Sequence, residues 1–131
     1  KILRSSSKDQ ITVVAAGITV FEALKAYDQL LNEKIKIRII DLYSIKPLDI
    51  KTLTKAARET KGLITVEDHY PAGGLGEAVA AALSGLVKVE IMAVSKIPRS
   101  GRPDQLLNYE QINDQAIIKK VKEIIYGQKK K

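Results

Sequence analysis

Glu67, Asp68 and His69 stand in a row, two carboxylates beside the one histidine of the chain. An imidazole next to carboxylates titrates near neutral pH and passes protons readily, so the trio has the makings of an acid–base cluster. No serine or cysteine nucleophile stands in a recognisable elbow to complete it. The plainer role for these polar residues is to anchor a loop or to meet a neighbouring domain. Four residues on, Gly73-Gly74-Leu75-Gly76 opens a run of good helix formers. A glycine turn at a helix N-terminus offers free N–H groups to a phosphate. The spacing is not G-x-G-x-x-G, and no Walker lysine follows. A tight turn with close helix packing is the plainer reading here too. Arg99, Ser100 and Arg102 form a third group, in a rigid basic loop that includes Pro98 and Pro103. They can hold a phosphate or carboxylate, or bridge to a neighbouring domain.

The elements that must position these groups follow from the pattern. Leu63 to Val66 is a short apolar run, the length of a buried strand. Leu75 to Leu83 reads as a helix ended by Gly85, so the first two groups lie in a strand–loop–helix unit. In open α/β sheets, ligands and partners meet the carboxyl ends of the strands, and the only histidine falls at such an end. Ile11 to Ala16 is nearly continuous apolar and reads as a second strand buried on both faces. Thr19 and Glu22 have capping-box spacing at the head of a helix reaching about Asn32. Ile35 to Ile40 alternates, which predicts a strand with one less buried face. Pro47-Leu48-Asp49 opens a helix that Lys61-Gly62 closes. Val87 to Ala93 alternates and predicts a strand near an edge. Asn113 or Asp114 caps a last helix striped by Ile117, Ile118, Val121, Ile124 and Ile125 and stopped by Gly127. Lys1 to Arg4 fits an edge strand. Strands alternating with helices predict a mostly parallel sheet covered on both faces, with the two most apolar strands central.

Composition bounds the function. A chain of 131 residues is one domain by size and can bury a real core. It has no cysteine, so it has no disulfide framework and no thiolate chemistry. With one histidine, a structural zinc site is disfavoured as well. No apolar run approaches the ~20 residues that span a bilayer, and no signal peptide is legible. The net charge of +7 includes the Lys129-Lys130-Lys131 tail. The aromatic and basic motifs of nucleic-acid binding are missing. A start at Lys1 rather than methionine fits a piece of a longer protein, whose remainder can carry the chemistry.

Several stretches together resemble the C-terminal domain of transketolase. They are Ile45-Lys-Pro-Leu-Asp49, Thr60-Lys-Gly62, Thr65-Val-Glu-Asp-His-Tyr70, Gly73-Gly-Leu-Gly-Glu-Ala-Val79, and Val94 to Pro98 with Arg99-Ser-Gly101. The likeness runs in order from about Ile11 to Ile125. A looser form of it is shared with the β subunits of 2-oxo acid dehydrogenases and with deoxyxylulose-phosphate synthase, whose C-terminal domains remain the related alternatives. The resemblance implies an α/β/α sandwich around a five-stranded, mostly parallel sheet with one antiparallel edge strand, Ile2 to Arg4. It implies a cytoplasmic parent of the pentose phosphate pathway, a homodimer that moves a two-carbon ketol unit from ketose phosphates to aldose phosphates. That parent uses thiamine diphosphate and a divalent metal, magnesium or calcium, held on N-terminal and middle domains whose motifs are absent from this sequence. No catalytic, cofactor or metal residue is therefore carried onto this chain, and by itself it is expected to be inactive. Glu67, Asp68, His69, Gly73, Gly74 and Gly76, with Arg99, Ser100 and Arg102, are expected in domain-interface or anion-contact loops. The rival from the residues alone is a free-standing module that binds an anionic metabolite at Gly73–Gly76 with Arg99 and Arg102. No nucleic-acid or membrane partner is expected.

Overall fold

The computed structural model describes residues 1–42, 48–68, 74–93 and 112–127. Five strands form one sheet in the spatial order β1-β3-β2-β4-β5. They are β1 (Ile2–Arg4), β2 (Ile11–Ala15), β3 (Ile37–Asp41), β4 (Gly62–Val66) and β5 (Val89–Met92). The helices are α1 (Thr19–Asn32), α2 (Ile50–Glu59), α3 (Leu75–Ala82) and α4 (Asp114–Tyr126). β2, with all five residues buried, is central and pairs in parallel with β3 and β4. β4 pairs in parallel with β5. β1 closes the other edge antiparallel to β3, as the resemblance implies, with an irregular register between Ile2 and Arg4.

The sheet separates two apolar layers. On one face Ile11, Val13, Ile39 and Ile64 pack under α1 and α4 through Ala23, Ala26, Leu30, Ile117 and Val121. On the other, Val14, Ile40 and Leu63 pack under α2 and α3 through Leu53, Ala56, Leu75 and Val79. The α/β/α sandwich thus follows from strands whose alternate residues each have a helix to bury against. α1 and α4 are joined further by the Lys122–Glu33 ion pair at 2.7 Å.

Two local expectations are corrected. The alternation in Ile37-Arg38-Ile39 predicts a less buried face, yet Arg38 is buried. Its Nε lies 3.2 Å from Asp9 Oδ2 and its Nη1 2.8 Å from Glu59 Oε1, and its Nη2 donates to the Ser6 carbonyl at 3.3 Å. Asp9 also accepts from Ser6 N and Ser6 Oγ at 2.7 Å each. A buried cation holds its place only where its donors find such partners, and a sequence pattern does not reveal them. Gly62, expected to close α2, is instead the first residue of β4, where an added Cβ would press on Ile124 Cγ2 at 3.2 Å. α2 ends at Glu59, with Thr60 capping through its N–H to the Ala56 carbonyl.

Candidate functional site at the carboxyl edge

The order in which the chain winds through the sheet reverses between the parallel strands β2 and β4. α1 carries the chain from β2 towards β1's side, and α3 carries it from β4 to β5. That is the switch point at which α/β sheets ordinarily receive ligands. Here Thr19, fully buried, spans it. Its hydroxyl lies 2.8 Å from both the Ala16 and the Val66 carbonyls and accepts from Ala16 N at 3.2 Å. The capping-box expectation at Thr19 and Glu22 is corrected by this arrangement. Thr19 binds back to the strand ends. Glu22 reaches across to α4 and accepts from Asp114 N at 2.8 Å, next to Asn113, whose side chain caps α4 through Ala116 N at 3.0 Å.

Glu67 repeats this arrangement at α3. β4 is extended by one bond, Glu67 N to the Met92 carbonyl at 3.0 Å. The side chain then turns under the helix, and its two carboxylate oxygens accept from Leu75 N and Gly76 N at 2.6 Å each. The residue is only 1% exposed. No cation takes part in either bond. The charge is matched by two N–H groups that would otherwise lack partners and by the positive end of the helix dipole. These are the donors that a phosphate at the glycine turn would need. The edge therefore supplies its own anion to these two donors.

Gly76 allows the close approach this requires. A Cβ there would stand 2.6 Å from Ile91 Cγ2 and 2.9 Å from Thr65 Oγ1. Thr65 Oγ1 is buried without a hydrogen-bond partner among the described residues. Gly74 is buried as the N-cap residue of α3 in extended conformation. Asp68, next to Glu67, is exposed on the edge. So the structure brings Glu67, Gly74 and Gly76 together, but as one packed joint that faces inward. His69, Gly73, Arg99, Ser100 and Arg102 lie outside the described residues. Among the described residues, no group of three or more histidine, cysteine, aspartate or glutamate side chains is placed to hold a metal ion. Nor is any helix among them long and apolar enough to cross a membrane. Sequence reasoning missed Thr19 and Glu22 as stitches between elements. Their capping-box spacing was the available signal, but it names only local partners.

Doubly wound topology with a carboxyl edge stitched by its own side chains defines the class, an α/β/α sandwich domain. The family model described as transketolase, C-terminal domain, matches residues 1–117, and the chain belongs to that family. It is 51% identical over 125 residues to transketolase-like protein 1 of Macaca fascicularis, covering 93% of this chain and 21% of that protein. To transketolase of Mus musculus it is 48% identical over 128 residues, covering 95% and 20%. The chain thus spans about one fifth of the length of the curated relatives it matches. Among solved structures, a split-gene transketolase described as an inactive beta4 tetramer superimposes with a TM-score of 0.83 at 31% identity. That match covers 92% of this chain and 41% of the other. A transketolase of Campylobacter jejuni shares the fold at a TM-score of 0.67 and 15% identity, over 92% of this chain and 18% of that one.

Proposed function

We propose that residues 1–131 form one domain that supports a thiamine-dependent ketol transferase without holding its reaction centre. In this reading, N-terminal and middle domains elsewhere in the enzyme bind thiamine diphosphate and magnesium or calcium. The parent is a cytoplasmic homodimer of the pentose phosphate pathway, moving a two-carbon unit between sugar phosphates. This domain rests its carboxyl edge on the middle domain, over a contact of the usual inter-domain size of about 600–1,500 Å². The observation that carries the reading is the Glu67 carboxylate on Leu75 N and Gly76 N. It commits the natural anion cradle of the fold to holding the edge together, while Asp68 beside it stays exposed for contact. Against the rival module that binds a metabolite at Gly73–Gly76 with Arg99 and Arg102, this carboxylate already occupies two of the donors, Leu75 N and Gly76 N.

Asp68→Ala combined with His69→Ala in the full-length enzyme tests it. Weakened dimerisation or cofactor retention is expected, read by sedimentation and by thiamine diphosphate titration. The 131-residue chain, given a ketose phosphate, an aldose phosphate, thiamine diphosphate and magnesium, is expected to give no ketol transfer. Turnover by the chain alone, or unchanged dimerisation and retention in the double variant, would overturn the reading.

A further inference from the structure

Lys51, Lys55 and Arg58 occupy one outer face of α2 at i, i+4 and i+7, all exposed. The inner face, Leu53, Ala56 and Ala57, is buried against the sheet. Two of the three cations work against their own helix, whereas Arg58, in the last turn, is favoured by the negative end of the dipole. Lys51 lies in the first turn, which contains no acidic residue, so its charge opposes the positive end of the dipole. Lys51 and Lys55 are like charges one turn apart, which also disfavours the helix. None of the three takes part in an ion pair among the described residues. The two nearest acids point their bonds elsewhere. Asp49 caps the helix through Thr52 N at 3.2 Å, and Glu59 holds Arg38 Nη1 at 2.8 Å. Between the cations and Glu59 lies a shallow hollow of about 490 Å³, with Thr54 in its wall.

We propose that this face of α2 is a docking surface for a short acidic segment of a protein partner, in extended conformation, with carboxylates at alternate positions. The geometry selects that occupant. From Lys51 to Arg58 the stripe runs about 10 Å along the helix. Alternate side chains of an extended segment fall on one side about 6.6 Å apart, close to the rise of about 6 Å between Lys51 and Lys55, while the shorter rise of about 4.5 Å to Arg58 leaves that step to the reach of the arginine side chain. Asp49 and Glu59 bound the stripe at either end, so a long polyanion such as a nucleic acid would run onto carboxylates. No aromatic side chain stands among the residues of α2 for base stacking. A membrane surface needs an apolar face left free on the helix, and that of α2 is buried.

The test is fluorescence anisotropy of a labelled Gly-Glu-Gly-Glu-Gly-Glu-Gly peptide titrated with the 131-residue chain at low and physiological salt. The triple variant K51Q/K55Q/R58Q should weaken binding by about tenfold, which is one decade of Kd. K36Q/K61Q/K119Q, which removes the same charge from exposed positions elsewhere, should stay within about twofold if only the α2 face is read. The substitutions leave the buried face of α2 intact, and a cooperative thermal melt close to the parent's confirms a folded helix. Equal loss in both triple variants would reduce the effect to net charge and overturn the proposal. So would no binding by the unsubstituted chain at millimolar concentration. Tighter binding of a charge-matched oligonucleotide through the same three side chains would replace the acidic segment with nucleic acid and overturn it as well.

Discussion

A carboxylate at 1% exposure is stable only where its charge is answered, and Glu67 is answered by backbone alone. Hydrogen bonds to a charged acceptor are worth more than neutral ones, and their loss leaves two buried N–H groups without partners. Glu67→Ala should therefore cost about 3 kcal/mol or more, a large share of a typical total stability of about 5–15 kcal/mol. Glu67→Gln keeps the shape and one acceptor but turns an amide NH2 towards an N–H, so it should fall between the two. Urea unfolding with an unchanged m value measures both. An alanine variant within about 0.5 kcal/mol of the parent would remove Glu67 as the anchor of α3. That Glu67 mattered was legible from a charge at a strand end before a glycine turn. That it faces inward was not. Its partners lie eight and nine residues on, and only the direction of α3, set by packing of Leu75 and Val79 on the sheet, brings them under it.

At the scale of the element, α2 shows how local signals succeed and α1 shows where they stop. Asp49 was legible as an N-terminal residue of α2, and its side chain caps the helix through Thr52 N. That contact is local, so sequence neighbours suffice to predict it. Thr19 and Glu22 carry the same kind of signal at α1, yet their bonds go to Val66 and Asp114, 47 and 92 residues away. The Asp49 cap has a pH signature. Its hydrogen bonds to Thr52, side chain first and then backbone, hold its carboxyl below the ordinary value of 3.8. A depressed folded pKa contributes stability that is present above the unfolded value and is lost as pH falls through the folded one. Asp49→Asn keeps a good cap but does not titrate. The melting temperature of the parent relative to D49N should therefore be constant above about pH 5 and fall as pH drops below about 4. Melts of both proteins across that range check it, and a constant difference down to pH 2 would show that the cap does not respond to ionisation.

For the whole molecule, the central place of β2 and β4 was legible because unbroken apolar runs must be covered on both faces. Their flanking by β3 and β5 followed from alternation, and the antiparallel β1 came only through resemblance, since three residues carry too little pattern. This order predicts a gradient of local stability. β2 is buried at every residue and paired on both sides, so its amides can open only when the sheet does. β1 is three residues long with a broken register, and β5 is an edge whose Ile91 is 38% exposed. In native-state hydrogen exchange, β2 amides should be the slowest, with exchange free energies equal to the global stability from urea. β1 and β5 should exchange faster, through local fraying. In Glu67→Ala, the β2 values should fall by the full urea difference, whereas those of β1, governed by its own opening, should barely move. If β1 exchanged as slowly as β2, the edge would open only with the whole sheet, and the gradient read from burial and pairing would be wrong.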